Sequence, residues 1–246
     1  LCGSTNSSTH VATDGAFQSE LDPESDDPES GNIWVDGFLA KFTPSGERVW
    51  GTYYGGKHND RINAATADPT KNYIYIAGTA SSPTGIASAD AHKQQSSSTD
   101  AFIAKFDTDG NRIWGTYFGG EGRESAADIV VDGEGNVYIC GLTTGDDLFG
   151  NRTVNESGGD WDGFVAKFSD SGDLMWTRFI GGPKRESAYA LAFGDGRVYV
   201  TGSTNSSSGI AFEGYMSSLG DEYHVDAFLV ALSGDDGALA WGSYFG

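Results

Sequence analysis

Three carboxylates recur at one place in this 246-residue chain: Asp60, Glu124 and Glu186, each in the connection ahead of an alternating apolar segment. Acids brought together by a repeating fold offer oxygen ligands to a hard cation such as Ca²⁺. If two of them faced each other across a cleft, the same groups would supply the acid and base of glycoside hydrolysis. Arg61, Arg123 and Arg185 adjoin the three acids, so ion pairing is the competing reading. A second acidic set, Asp36, Asp100, Asp162 and Asp226, opens a recurring strand, where a carboxylate accepts backbone N–H bonds and fixes the entry of the chain. Trp50, Trp114, Trp176 and Trp241 recur in the same way, and recurrence in every copy favours packing over a sugar-stacking platform.

The rest of the catalytic inventory is sparse. His10, His58, His92 and His224 have unrelated surroundings and no metal-ligand spacing, and no G-x-S-x-G elbow or phosphate-cradling loop occurs. Cys2 and Cys140 occupy one register, where Ala77 and Thr201 stand in other copies, which marks a small-residue packing position. Two blades apart, they should exceed the roughly 7 Å Cα limit of a disulfide. The stretch "DTDGN" from Asp107 is like the start of a calcium loop, but its equivalents "TPSGE" and "SDSGD" identify a hairpin turn. The acidic run "DPESDDPE" from Asp22 occurs in one copy only and reads as a solvated loop.

These residues are positioned by a repeat. "DGFLAKFTPSGERVWGTYYGG" from Asp36, "DAFIAKFDTDGNRIWGTYFGG" from Asp100, "DGFVAKFSDSGDLMWTRFIGG" from Asp162 and "DAFLVALSGDDGALAWGSYFG" from Asp226 are one unit written four times, their leading aspartates 64, 62 and 64 residues apart. Between them lies a second block: "RINAATADPTKNYIYIAGTA", "ESAADIVVDGEGNVYICGLT" and "ESAYALAFGDGRVYVTGST". The opening "LCGST" is the tail of this block, so the first copy has lost its first strand. Each period reads as strands a to d, with a from Ala126 to Val131 and b from Asn136 to Gly141 in the third copy. Glycine in the c-to-d turns supplies the positive φ of a short hairpin. Strand c is apolar on both faces, as Phe102, Ala104 and Phe106 against Ala101 and Ile103 show, and a sheet with two dry faces needs a neighbour on each side. The expected architecture is all-β: a β-propeller region over residues 1–246, with four-stranded antiparallel blades at about 1–56, 57–120, 121–182 and 183–246 and strand a innermost.

Composition agrees. The chain has 36 glycines and 13% aromatics, which suits short strands and tight turns. The net charge of -20 repels nucleic acid and anionic membrane surfaces. No stretch has the roughly 18 apolar residues of a membrane span. The chain opens inside a motif, at Leu1 rather than Met, as expected of an excerpt from something longer.

The pattern D-[AG]-F-[ILV]-A-K-F, a turn, W-G-T-Y-[YF]-G-G, then E-S-A and G-N-V-Y-[IV]-x-G resembles the bacterial seven-bladed β-propeller repeat, called the SBBP repeat, over essentially the whole chain. "ALSGDDGALAW" from Ala231 is also similar to the tryptophan-docking motif of quinoprotein propellers, although the other copies are one residue shorter there. The first resemblance implies a large secreted or cell-surface bacterial protein, a ring of more blades than four, and no catalytic activity or required cofactor in the repeat. It also speaks against a eukaryotic glycosylation system acting on the sequons at Asn6, Asn151, Asn155 and Asn205.

The leading expectation is therefore a non-enzymatic binding or scaffold module. Protein or polysaccharide partners would meet its long b-to-c excursions, about Ser4 to Val35, Ala80 to Thr99, Leu142 to Trp161 and Ser203 to Val225. Three of these share an apolar pair and an anchor, "HVATDGAFQ", "GIASADAHK" and "GIAFEGYMS", and the third excursion departs from the pattern. The alternative is a hydrolytic, glycosidase-like propeller with carboxylates at a channel mouth. An enzyme needs unlike residues around one centre, whereas equivalent positions here carry equivalent residues.

Overall fold

A computed structural model describes residues 1–21, 26–27, 32–33, 35–68, 72–145, 161–219 and 225–246. Their regular elements are strands throughout, and the chain divides into two compact units, Leu1–Phe118 and Gly119–Gly246. The first unit begins with β1 (Cys2–Thr5), followed by a two-residue ladder of β2 (Asp26–Asp27) with β3 (Asn32–Ile33). Then come β4 (Asp36–Phe42) and β5 (Arg48–Tyr54), which join β1 in a three-stranded sheet ordered β1-β4-β5. A complete four-stranded sheet follows, made of β6 (Asp60–Asp68), β7 (Tyr73–Ala80), β8 (Asp100–Asp107) and β9 (Arg112–Phe118) in sequence order.

The second unit repeats the complete sheet twice. One is β10 (Glu124–Val131), β11 (Val137–Thr143), β12 (Asp162–Phe168) and β13 (Leu174–Ile180). The other is β14 (Glu186–Gly194), β15 (Arg197–Thr204), β16 (Asp226–Ser233) and β17 (Leu239–Phe245). All pairings are antiparallel. These are the four propeller blades expected from the repeat, the first without its strand a. Strand a begins earlier than the alternation suggests, because Asp60, Glu124 and Glu186 pair with Ala80, Thr143 and Thr204 and so belong to the ladder.

Each strand a carries a bulge, at Ile62/Ala64, Ala126/Asp128 and Ala188/Ala190. The bulge drives the preceding carbonyl, that of Arg61, Ser125 or Ser187, onto strand b. The residue met there is Gly78, Gly141 or Gly202, where a Cβ would collide with that oxygen. The glycine of the "xGxT" segment is thus dictated by a backbone contact with strand a.

Each unit has its core between its own two blades. In the first, Leu39, Trp50 and Tyr54 of the leading blade meet Ile62, Ile76, Phe102 and Phe106 of the next. In the second, Tyr138, Cys140, Val165 and Trp176 meet Ala188, Val200, Phe228 and Val230. Cations and indoles fasten these seams. Lys41 Nζ and Trp50 Nε1 each donate to the Thr108 carbonyl at 2.9 Å. Lys167 Nζ (2.8 Å), Trp176 Nε1 (3.4 Å) and the Tyr138 hydroxyl (3.2 Å) converge on the Gly234 carbonyl. Both acceptors lie in the c-to-d turn of the following blade. Trp50, Trp114 and Trp176 are buried as expected, but Trp241 is only half-buried. No later blade among the described residues lies over its face, and the lysine position beside it is Ala231.

Candidate functional site

The recurrent acids sit where strands d, a and b meet. Asp60 Oδ2 accepts from the Gly56 N–H (2.7 Å) and the Ser82 hydroxyl (2.6 Å), and Oδ1 accepts from the Ser82 N–H (3.2 Å). Glu186 repeats this with the Gly182 N–H (2.7 Å) and the Thr204 hydroxyl (2.7 Å). Glu124 does so with the Gly120 N–H (3.2 Å) and the Thr143 hydroxyl (2.7 Å). All three are at most 1% exposed. Each carboxylate therefore ties the Gly-Gly turn after strand d to the end of strand b. Burial pushes the Asp60 carboxyl above its usual range, and the bonds from Ser82 and Gly56 oppose that rise.

Arg61 reaches Ser4 Oγ (3.3 Å), and the guanidinium of Arg185 lies 5.7 Å from the Trp161 ring centroid. Hydroxyls and main-chain amides donate to all three carboxylates. Among the described residues no group of three or more His, Cys, Asp or Glu is arranged to hold a metal ion. Asp36, Asp100, Asp162 and Asp226 are buried at the start of strand c. Gln18 Nε2 donates to Asp36 Oδ2 (3.3 Å), and Lys93 Nζ lies 2.5 Å from Asp100 Oδ2.

The "DTDGN" turn satisfies itself. Asp107 Oδ1 accepts from the N–H groups of Asp109 and Asn111, and Oδ2 accepts from Asn111 Nδ2. Asp132 holds "DGEGN" in the same manner. Cys2 and Cys140 are free thiols, and burial pushes the Cys140 thiol far up, where it is inert as a nucleophile.

The excursions are built more regularly than their sequences suggest. In three blades the loop runs back along strand d: the N–H of Thr13, Ser88 and Phe212 donates to the carbonyl of Gly51, Gly115 and Gly242. One turn further, the carbonyl of Gln18, Lys93 and Met216 accepts from the N–H of Tyr53, Tyr117 and Tyr244. The N–H of the same three loop residues donates to Thr52 Oγ1, Thr116 Oγ1 and Ser243 Oγ at 2.9, 3.0 and 2.9 Å. A glycine is needed in strand d because the carbonyl of Val11, Ile86 or Ile210 occupies its Cβ position.

The remaining blade has Thr177 and Arg178 at the glycine and hydroxyl positions, and Arg178 donates instead to the carbonyls of Gly237 (3.1 Å) and Asp236 (2.6 Å). Its excursion, with the sequons at Asn151 and Asn155, lies almost wholly outside the described residues, as does the Asp22–Glu29 run apart from the backbone of Asp26 and Asp27. The docking hydroxyls and the seam lysines escaped the sequence reading because their partners are main-chain atoms, which have no residue signature.

What the docked loops present differs between copies. At the aromatic anchor position, Phe17 lies 6.0 Å from the Phe106 ring and under the Arg112 guanidinium (4.6 Å). Its equivalent Tyr215 is 92% exposed, beside a largely apolar hollow of about 520 Å³ whose walls include Leu229, Trp241 and Phe245.

Comparison with known proteins agrees with this architecture. An uncharacterized WD repeat-containing protein of Acanthamoeba polyphaga mimivirus is 27% identical over 146 residues, 54% of this chain and 10% of its own length. The regulatory protein FlaEY of Caulobacter vibrioides is 27% identical over 144 residues, 57% of this chain and 15% of its own length. This chain thus matches only a small part of either relative. The family model of the SBBP β-propeller repeat matches residues 113–149, from strand d of one blade through strand b of the next. Residues 113–149 are thus similar to the SBBP β-propeller repeat, within a chain that writes one unit four times.

Proposed function

We propose that this chain is a non-enzymatic binding or scaffold module of a larger secreted or cell-surface bacterial protein, and that its b-to-c loops meet a protein or polysaccharide partner. The observation that carries this reading is the docking of three loops by one set of main-chain bonds while their outward residues differ, as with Phe17, His92 and Tyr215. A fixed frame with variable tips is how rigid scaffolds present recognition surfaces. The recurrent carboxylates that the hydrolytic alternative would have to use are buried and bonded to turns, which supports a role in the frame.

Screening the chain against immobilised bacterial polysaccharides and surface-protein fragments tests this. We expect saturable binding that Tyr215→Ser or Phe212→Ser weakens without lowering thermal stability. Turnover of chromogenic glycosides that Asp60→Asn and Glu186→Gln abolish would replace it with the hydrolytic reading.

A further inference from the structure

We propose that a hollow between the two blades of the second unit, at the end of the sheets away from the b-to-c loops, is a subsite for a neutral sugar residue. The a-to-b turns of both blades and the c-to-d turn of the later one form it, and it holds about 270 Å³. That volume is near the low end for a small-molecule site and gives room for one ring. Lys167 lines the hollow while only 5% exposed, and among the described residues its one hydrogen bond is the 2.8 Å bond to the Gly234 carbonyl. An ammonium carries three N–H donors. The Tyr138 ring, 5.2 Å away, offers it a π face rather than a lone pair. A buried ammonium with donor capacity left over marks a place for an acceptor that the chain itself does not supply.

The mouth is acidic. Asp132 is occupied by its own turn and by the Tyr138 hydroxyl (3.1 Å), whereas Glu134 and Asp235 line the same hollow and are exposed. Burial, then the carboxylates of Asp132, Asp235 and Glu134, push the Tyr138 phenol far up, as befits three acids gathered about one hydroxyl. Phe193 stacks on Tyr138, with ring centroids 5.2 Å apart, and adds an apolar wall. An anion entering here meets exposed carboxylates, and a cation must lie beside a buried ammonium, so a full charge of either sign is opposed. A hydroxyl suits both partners, because it accepts from Lys167 and donates to a carboxylate. Neighbouring hydroxyls on a ring whose C–H face can lie against Phe193 are the chemistry of a sugar.

The test titrates the whole chain with cellotetraose, maltotetraose and chitotetraose and follows the backbone amides of Gly196, Gly234 and Asp235 by NMR. We expect saturable shifts at these amides with at least one of the three sugars. Asp235→Ala should weaken binding about tenfold or more, since a charged hydrogen bond is lost, and Lys167→Met should abolish it. Asp235 sits in an exposed turn, so its variant keeps the proposal testable even if Lys167→Met fails to fold. Tyr215→Ser, on the loop face, should leave the shifts unchanged, which separates this site from whatever the b-to-c loops bind. Absence of shifts with all three sugars, equal binding by Asp235→Ala, or shifts produced only by a tetra-arginine peptide would each overturn the proposal.

Discussion

A carboxylate that replaces water with main-chain amides and a hydroxyl shows how Asp60, Glu124 and Glu186 serve the frame. Asp60 is fully buried and its carboxyl titrates above the ordinary aspartate value, so the folded state holds a proton that the unfolded state releases as pH rises through that window. Its contribution to stability is greatest below the ordinary value and is lost as pH rises through the folded one. Asp60→Asn cannot titrate, so denaturant melts at pH 4 and pH 7 should show the parent gaining on the variant at the acid end; a difference independent of pH would refute this. Gly141→Ala tests the bulge contact: with the Ser125 carbonyl at the Cβ position, we expect a loss of about 3 kcal/mol, read from chemical denaturation. The acids were visible as repeated letters in the sequence, but their partners were not. Each acid takes a glycine amide and a hydroxyl at or just past the end of strand b, and neither leaves a pattern beside the acid.

Blades owe their order to alternation and turns, and this much was legible: the four c strands, the c-to-d glycines and the missing first strand all follow from residue types. The seam was not. Lys167 looks like a polar interruption of strand c, yet it is 5% exposed, sits 5.2 Å from the Tyr138 ring centroid and donates to Gly234. Lys167→Met keeps the volume and removes the donor, and should cost roughly 1–2 kcal/mol in an equilibrium melt, Trp176 and Tyr138 keeping the acceptor occupied. The excursions were half legible. Their apolar pair and anchor were apparent, while the hydroxyl that fixes them, Thr116 for example, is an ordinary strand residue. Thr116→Val leaves the partly buried Lys93 N–H bond unmade, and hydrogen exchange at Lys93 should accelerate in the variant while exchange in β10 to β13 stays at the parent rate.

At the scale of the molecule, charge dominates. With 35 acids against 15 basic groups, self-repulsion opposes the folded state and is screened by salt. Raising NaCl from about 10 mM to about 500 mM should therefore raise Tm, and a flat or falling Tm would show that paired surface charges outweigh the net excess. The two compact units each close a seam of their own, so each has the core contacts of a blade pair. In both seams the donors are side chains of one blade and the acceptor is a main-chain oxygen of the next, on threonine in one case and glycine in the other. The turns offering that oxygen even differ in length, "DTDG" against "SGDDG". A neighbour therefore needs a correctly shaped turn rather than a matching residue. Tandem duplication, loss or exchange of whole units leaves such a joint intact, and a gene carrying this repeat can lengthen or shorten its array without coordinated change on both sides of every junction.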